Sequence, residues 1–243
     1  MPGLLGNGRA SSIRSRCHFP RAPISLPRPF PCFARSPCIS RFADGSCRSS
    51  AILHANLRSL PPTAAEAVRR VLAERKNILS RVHPIMDRTI IAMKMRTHGD
   101  YHLGQVLYTG KDFVIIDLEG EPNRPLTERR LKQPALRDIA GMIRSFHYAA
   151  HVSLRQRATQ QGADVEYLRH WADLWYVYVS GLFLHSYLKS VADTRVVPSD
   201  EKDFAVLLET LVLEKAVYEL RYELNNRPDW LMIPVQGIEQ TLR

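Results

Sequence analysis

The chain divides near residue 55, and only the part beyond that point has the patterning of a folding sequence. Residues 1–50 hold all four cysteines (Cys17, Cys32, Cys38 and Cys47), seven of the 16 prolines, eight arginines, no lysine and a single acid, Asp44. No apolar period of 2 or 3.6 runs through them. Such a segment buries too little apolar surface to offset its ordering entropy, so residues 1–55 read as a disordered Arg/Ser/Pro-rich tail. Residues 56–243 then form one folded unit. Three origins fit the tail: an organellar transit peptide, a basic arm, or upstream DNA translated in a foreign frame. We favour the last.

The same asymmetry removes several function classes. The formal net charge is +10 and the pI about 9.7, values that ordinarily point to nucleic acid. Most of that excess sits in the tail, and the remainder is nearly neutral, so no nucleic-acid partner is expected. The cysteines form no C-x-x-C pair and give no zinc framework. The cysteine-free body fits a reducing cytoplasm, where we expect the protein to work. The longest uncharged apolar stretch, Leu174 to Leu184, is too short to cross a bilayer, so no membrane partner is expected either.

The folded part reads as α+β with helices dominant. Pro61-Pro62 and the capping-box pattern Thr63-x-x-Glu66 predict a helix over 63–81, with Ala67, Val68, Val71, Ile78 and Val82 on its apolar face. A short β region spans about 90–118. Within it, Val106-Leu107-Tyr108 and Phe113-Val114-Ile115-Ile116 flank Thr109-Gly110-Lys111 and read as a β-hairpin. Helices are then expected over about 136–159, 163–190 and 201–226. The second carries Tyr167, Trp171, Trp175, Tyr178, Phe183 and Tyr187, a stripe that reads as core.

The chemistry concentrates in His98-Gly99-Asp100-Tyr101-His102-Leu103-Gly104-Gln105 and in Ile116-Asp117-Leu118-Glu119-Gly120-Glu121 after the hairpin. Phosphoryl transfer is mostly positioning and charge neutralisation. It needs one carboxylate facing the attacking hydroxyl, a metal-binding side chain five residues later, and a second carboxylate at a strand end. Asp100, Gln105 and Asp117 have that order and spacing. A carboxylate of ordinary pKa is already ionised at neutral pH, so no special base is required. A zinc pair His98/His102 at i, i+4 would need a continuous helix, which Gly99 and Gly104 oppose.

The run from His98 to Ala150 closely resembles the maltokinases, relatives of the aminoglycoside phosphotransferases with a protein-kinase-like fold. The resemblance continues through Leu213-Glu214-Lys215-Ala216-Val217-Tyr218-Glu219-Leu220 to Trp230 and covers about residues 56–243. It implies ATP-dependent phosphorylation of maltose to maltose 1-phosphate, with ATP and Mg²⁺ as cofactors. It also implies a trehalose synthase as fused or separate partner. By this resemblance Asp100 is the catalytic base and Gln105 and Asp117 are magnesium ligands. His98 and Glu119 act as supporting groups, with Glu121 near them. Leu118 stands where the family usually has Phe.

The third long helix carries the expected sugar face. Lys215, Tyr218 and Tyr222 fall at i, i+3 and i+7 on one side, where rings and a long donor suit a sugar's apolar face and hydroxyl rim. Arg221 and Glu223 point elsewhere and read as structural. The pattern corresponds to the C-terminal lobe of a kinase alone. The V-A-I-K-like Ile91-Ala92-Met93-Lys94 lies too close to Asp100 to belong to another lobe. Gly3 to Gly8 lacks the flanking strand and helix of a phosphate loop. The expectation is therefore a truncated piece with little transfer activity alone. The alternative is a non-catalytic sugar-binding or partner subunit.

Overall fold

The computed structural model describes residue 57 and residues 60–161 and 165–242. The tail assigned to residues 1–55 lies outside the described residues. Among those described, three long helices and a C-terminal helix form the body, and two small antiparallel strand pairs lie at one end.

The first helical segment breaks in two: α1, Pro62–Ala73, and α2, Arg75–Val82. The expected capping box is not formed. Pro61 occupies the cap position, Pro62 opens the helix, and Thr63 lies inside it with no side-chain cap bond. Proline at the first helical position has no amide to satisfy and its φ is preset, so the helix starts a residue before the box could act. The continuous helix expected over 63–81 is interrupted at Glu74 (φ −76°, ψ 0°), whose carboxylate accepts a bond from the Asn77 side chain at 2.5 Å. That local tie competes with regular helical turns. A short turn of helix, α3 (Pro84–Asp87), follows.

Strand β1 (Lys94–Met95) pairs antiparallel with β4 (Gln133–Pro134), so Lys94 lies in a two-residue strand. The predicted hairpin is present: β2 (Val106–Tyr108) against β3 (Phe113–Ile115), with Tyr108 opposite Phe113. Gly110 takes φ +91° in its turn, where a side chain would be strained. A four-residue helix, α4 (Leu126–Arg129), leads to β4.

The long helices are α5 (Leu136–Gln161), α6 (Val165–Val191) and α7 (Glu201–Asn226), close to the predicted spans. Asp200 caps α7 by accepting the Asp203 amide at 2.8 Å. The terminal helix α8 (Met232–Leu242) was not anticipated. Helix α5 packs on both α6 and α7, and α8 packs on α7 and α1. The core runs through Val68 and Val71 of α1, Leu136 and Ile139 of α5, Leu213 and Leu220 of α7, and Ile238 of α8.

The aromatic stripe of α6 divides. Phe183 and Tyr187 pack on the core, but Tyr167, Trp171, Trp175 and Tyr178 are exposed. The expectation of a core stripe fails for these four. Helix α6 lies at the edge of the bundle with α5 as its main neighbour, so among the described residues the side turned from α5 stays exposed.

A polar cluster is sealed between α5 and α7. The buried Arg144 donates to Glu219 at 2.8 Å, Tyr148 donates to Glu223 at 3.1 Å, and Arg227 holds Glu223 at 2.7 Å. Glu223 is therefore structural, as expected. Gly237 of α8 has no side chain where the Arg144 guanidinium lies, and any Cβ there would collide with it. His147 and His151 lie beside this cluster with ring centroids 4.2 Å apart and ring planes tilted by 44°.

Candidate active site

The loop carrying Asp100 is clamped from behind. Asp138, in the first turn of α5, accepts the His98 amide at 2.7 Å and the Gly99 amide at 2.9 Å. Gly99 holds φ +84°, and a Cβ there would come within 3.3 Å of the Gly120 Cα, so the two Asp-bearing loops meet backbone to backbone. His98 Nε2 lies 2.8 Å from the Ile116 carbonyl. A carbonyl only accepts, so Nε2 carries the proton and Nδ1 is left to accept the Asp100 amide at 3.4 Å. One buried imidazole thus ties the Asp100 loop to the strand leading to Asp117. The 98–102 segment is not helical, and both histidine Nδ1 atoms accept backbone amides, which disposes of the zinc pair.

The loop also sits close to α5. Gly141 faces the Tyr101 carbonyl, and a Cβ would stand 2.7 Å from that oxygen. Leu103 donates its amide to Ser145 Oγ at 2.9 Å.

Gln105 and Asp117 meet at the base of the hairpin. The Gln105 side-chain amide lies 2.9 Å from Asp117 Oδ2, and the Ile116 amide donates to the Gln105 carbonyl at 3.0 Å. Asp117 has φ +60°. Among the described non-glycine residues it alone takes positive φ, a conformation Asp tolerates better than most but still at some cost, and such strain is typical where a side chain must be aimed. The pair fits a magnesium ion in chemistry. Both side chains supply hard oxygen donors, Asp117 is exposed, and the Gln105 carboxamide can present either atom at the contact point. Glu119 is exposed on the following loop, whereas Glu121, two residues on, is buried.

The opposite wall comes from α7. Lys215 Nζ lies 3.4 Å from Asp100 Oδ1 and 3.5 Å from Glu121 Oε2. His102 Nε2 lies 3.7 Å from Asp100 Oδ2. Burial alone would raise the Asp100 pKa, but the His102 imidazole and the Lys215 charge outweigh it and bring it down to about 2. The carboxylate is therefore ionised throughout the physiological range. Gly99, Asp100, Glu121, Arg124, Arg137, Asp138, Glu214 and Lys215 line a cleft in front of it.

Of the expected sugar face, Lys215 reaches this cleft directly. Its ammonium is 5.0 Å from the Tyr218 ring centroid, and the Asn123 side chain donates to the Tyr218 hydroxyl at 3.4 Å. Burial pushes the Tyr218 phenol up to about 12. Tyr222 lies one turn further along α7, about a third exposed, with Arg227 over its ring at 5.6 Å. It is neither a core tyrosine nor among the residues lining the cleft. Arg221, read as structural, stands over the Tyr218 ring at 5.7 Å.

Sequence reasoning missed Asp138, Arg124, Arg137 and Glu214. Arg137 pairs with Glu214 at 2.9 Å, and Arg124 stands 3.8 Å from the same oxygen. Asp138 and Arg137 look like ordinary first-turn residues of α5. Their roles arise only when the 98–100 loop and α7 fold against that turn.

The chain is similar in sequence to two curated glucosamine kinases. That of Mycolicibacterium smegmatis is 31% identical over 139 residues, covering 56% of this chain and 32% of the relative. That of Streptacidiphilus jiangxiensis is 27% identical over 137 residues, covering 56% and 29%. The chain thus matches about a third of these relatives' length. Among solved structures, a glucosamine kinase in complex with glucosamine, ADP and inorganic phosphate superposes with TM-score 0.66 and 23% identity, over 88% of this chain and 47% of that one. A second crystal form gives 0.66 and 23%, over 89% and 48%. No protein-family model matches. The fold is that of about half of a glucosamine kinase. The expectation of a kinase-like sugar phosphotransferase agrees with these relatives at that level, while their names specify glucosamine and not maltose. No described helix is long and apolar enough to cross a membrane.

Proposed function

We propose that the chain carries the acceptor-binding and catalytic part of an ATP-dependent sugar kinase, acting on maltose with magnesium as cofactor. The observation that carries this reading is Asp100, held ionised beside Lys215 in the cleft, on a loop that the His98 imidazole ties to the strand leading to the Gln105–Asp117 pair. In the reaction a sugar hydroxyl gives its proton to the Asp100 carboxylate as its oxygen bonds to the γ-phosphorus. The bond between the γ-phosphorus and the bridging oxygen breaks, and ADP leaves. Gln105 and Asp117 would hold magnesium, which when bound neutralises charge on the phosphates. Lys215 fixes the Asp100 carboxylate and offers a donor to the sugar, and the Tyr218 ring supplies a flat face beside it.

Glucosamine is the second reading. The relatives of known name favour it, and so does the buried Glu121 carboxylate in the cleft, which could pair with an amino sugar's ammonium. Incubating the protein with Mg²⁺, ATP and each sugar, and weighing the products by mass spectrometry, separates the two. Maltose phosphate supports the first reading and glucosamine phosphate the second. Sugar binding with no transfer under any nucleotide condition would favour a non-catalytic subunit.

A further inference from the structure

Among the described residues, helix α6 has an outer face that stands exposed. Tyr167, Trp171, Leu174, Trp175, Tyr178 and Leu182 are 44% to 66% exposed. Their spacing puts them within an arc of about 100° on one side of the helix. Between Arg169 and Lys189 the only acidic or basic side chain besides histidine is Asp173, and it turns toward α5, 3.6 Å from His151. The outer stripe therefore carries no charge. A helix that is apolar on all sides belongs inside something, and α6 is apolar on its outer side as well as its inner one.

We propose that this stripe is the interface of a homodimer in which two copies of α6 pair antiparallel about a two-fold axis passing between Leu174 and Trp175. The sequence is self-complementary about that point. In an isologous contact each residue meets one equally far on the other side of the axis. Leu174 then faces Trp175 of the second copy, Trp171 faces Tyr178, and Tyr167 faces Leu182. Every large residue meets a large apolar one, and none meets a charge. The area also suits a second copy. Six side chains of roughly 200 Å² each, about half exposed, supply about 600 Å² per chain. The pair then buries about 1,200 Å², the lower bound for a specific interface. Trp and Tyr at its centre are the residues that dominate such contacts.

Light scattering of the full chain across a micromolar concentration series tests the proposal. A dimer that dissociates on dilution is expected, with the Trp171 and Trp175 emission shifting to the red as monomer forms. Trp171→Glu and Tyr178→Lys should each weaken self-association at least tenfold while leaving the circular dichroism spectrum unchanged. If Trp171→Glu perturbs folding, Leu174→Ala is the milder substitute. Mixing Trp171→Glu with Tyr178→Lys should restore a heterodimer, because the introduced carboxylate and ammonium then face each other. Mixing Trp171→Glu with Leu182→Lys should not. A monomer at every concentration, with the stripe covered by other residues of the same chain, would overturn the proposal. So would an undiminished dimer in the Trp171→Glu variant, or rescue by the wrong mixture.

Discussion

Lys215 reaches from α7 to within 3.4 Å of Asp100, linking two residues 115 positions apart in sequence. That contact supplies part of the charge that holds the Asp100 carboxyl down at about 2 against the opposing effect of burial. The Lys215→Met variant should raise the Asp100 pKa, measurable by NMR titration of the side-chain carboxyl. Because the folded pKa lies below the ordinary carboxylate value of about 3.9, the stabilisation is complete above that value and is lost as pH falls toward 2. The variant should therefore unfold in acid at a higher pH than the wild type.

Gly141 and the Tyr101 carbonyl define a second dependence. The Gly141→Ala Cβ would stand 2.7 Å from that oxygen, which is backbone and cannot swing away. Relieving the overlap must push the Asp100 loop off α5, at a cost of about 1–3 kcal/mol. Thermal unfolding should show the loss. In an active assembly kcat should fall more than sugar KM rises, since the loop aims Asp100.

Asp138 holds two backbone amides of the same loop at 2.7 and 2.9 Å. Asp138→Ala leaves both without that acceptor and should cost about 1–3 kcal/mol. Hydrogen exchange at His98 and Gly99 should accelerate, while amides of α8 stay protected. Unchanged exchange at those two positions would show that the clamp is dispensable.

The paired histidines predict a pH dependence of the same sign in a higher pH window. Burial and the nearby Arg144 charge push the His147 pKa well below its ordinary value, and burial lowers that of His151. Both are neutral in the folded chain and titrate near 6.5 when unfolded, so stability falls as pH drops below about 6.5. His147 should contribute about 2 kcal/mol of loss at pH 5, and His151 adds to the loss in the same direction. His147→Phe should narrow the difference in Tm between pH 7.5 and pH 5.

Much of the fold is legible in the sequence because its signals are local. The pattern of α7 places that helix at 201–226, and Gly110 between two apolar triplets places the hairpin. The meeting of Gln105 and Asp117 follows from the hairpin alone. The outer face of α6 is misread because periodicity shows that a residue is apolar, not whether a neighbour exists to cover it. The clamp by Asp138 and the pairing of Arg137 with Glu214 are invisible for a related reason. Each is made by elements remote in sequence, and each residue has an ordinary local explanation. The α1 cap is misread because two mechanisms compete at one helix start and proline acts first.

The most direct measurement of the central claim is phosphate transfer from radiolabelled ATP to maltose and to glucosamine, with Mg²⁺, by the chain alone and by the chain supplemented with a kinase N-terminal lobe. Wild type, Asp100→Asn and Asp117→Asn are compared, with circular dichroism to show that all three fold alike. The account predicts labelled sugar phosphate from the supplemented wild type and a loss of at least about a hundredfold in both variants. Transfer undiminished in Asp100→Asn, or no transfer to either sugar in any arm, would contradict it.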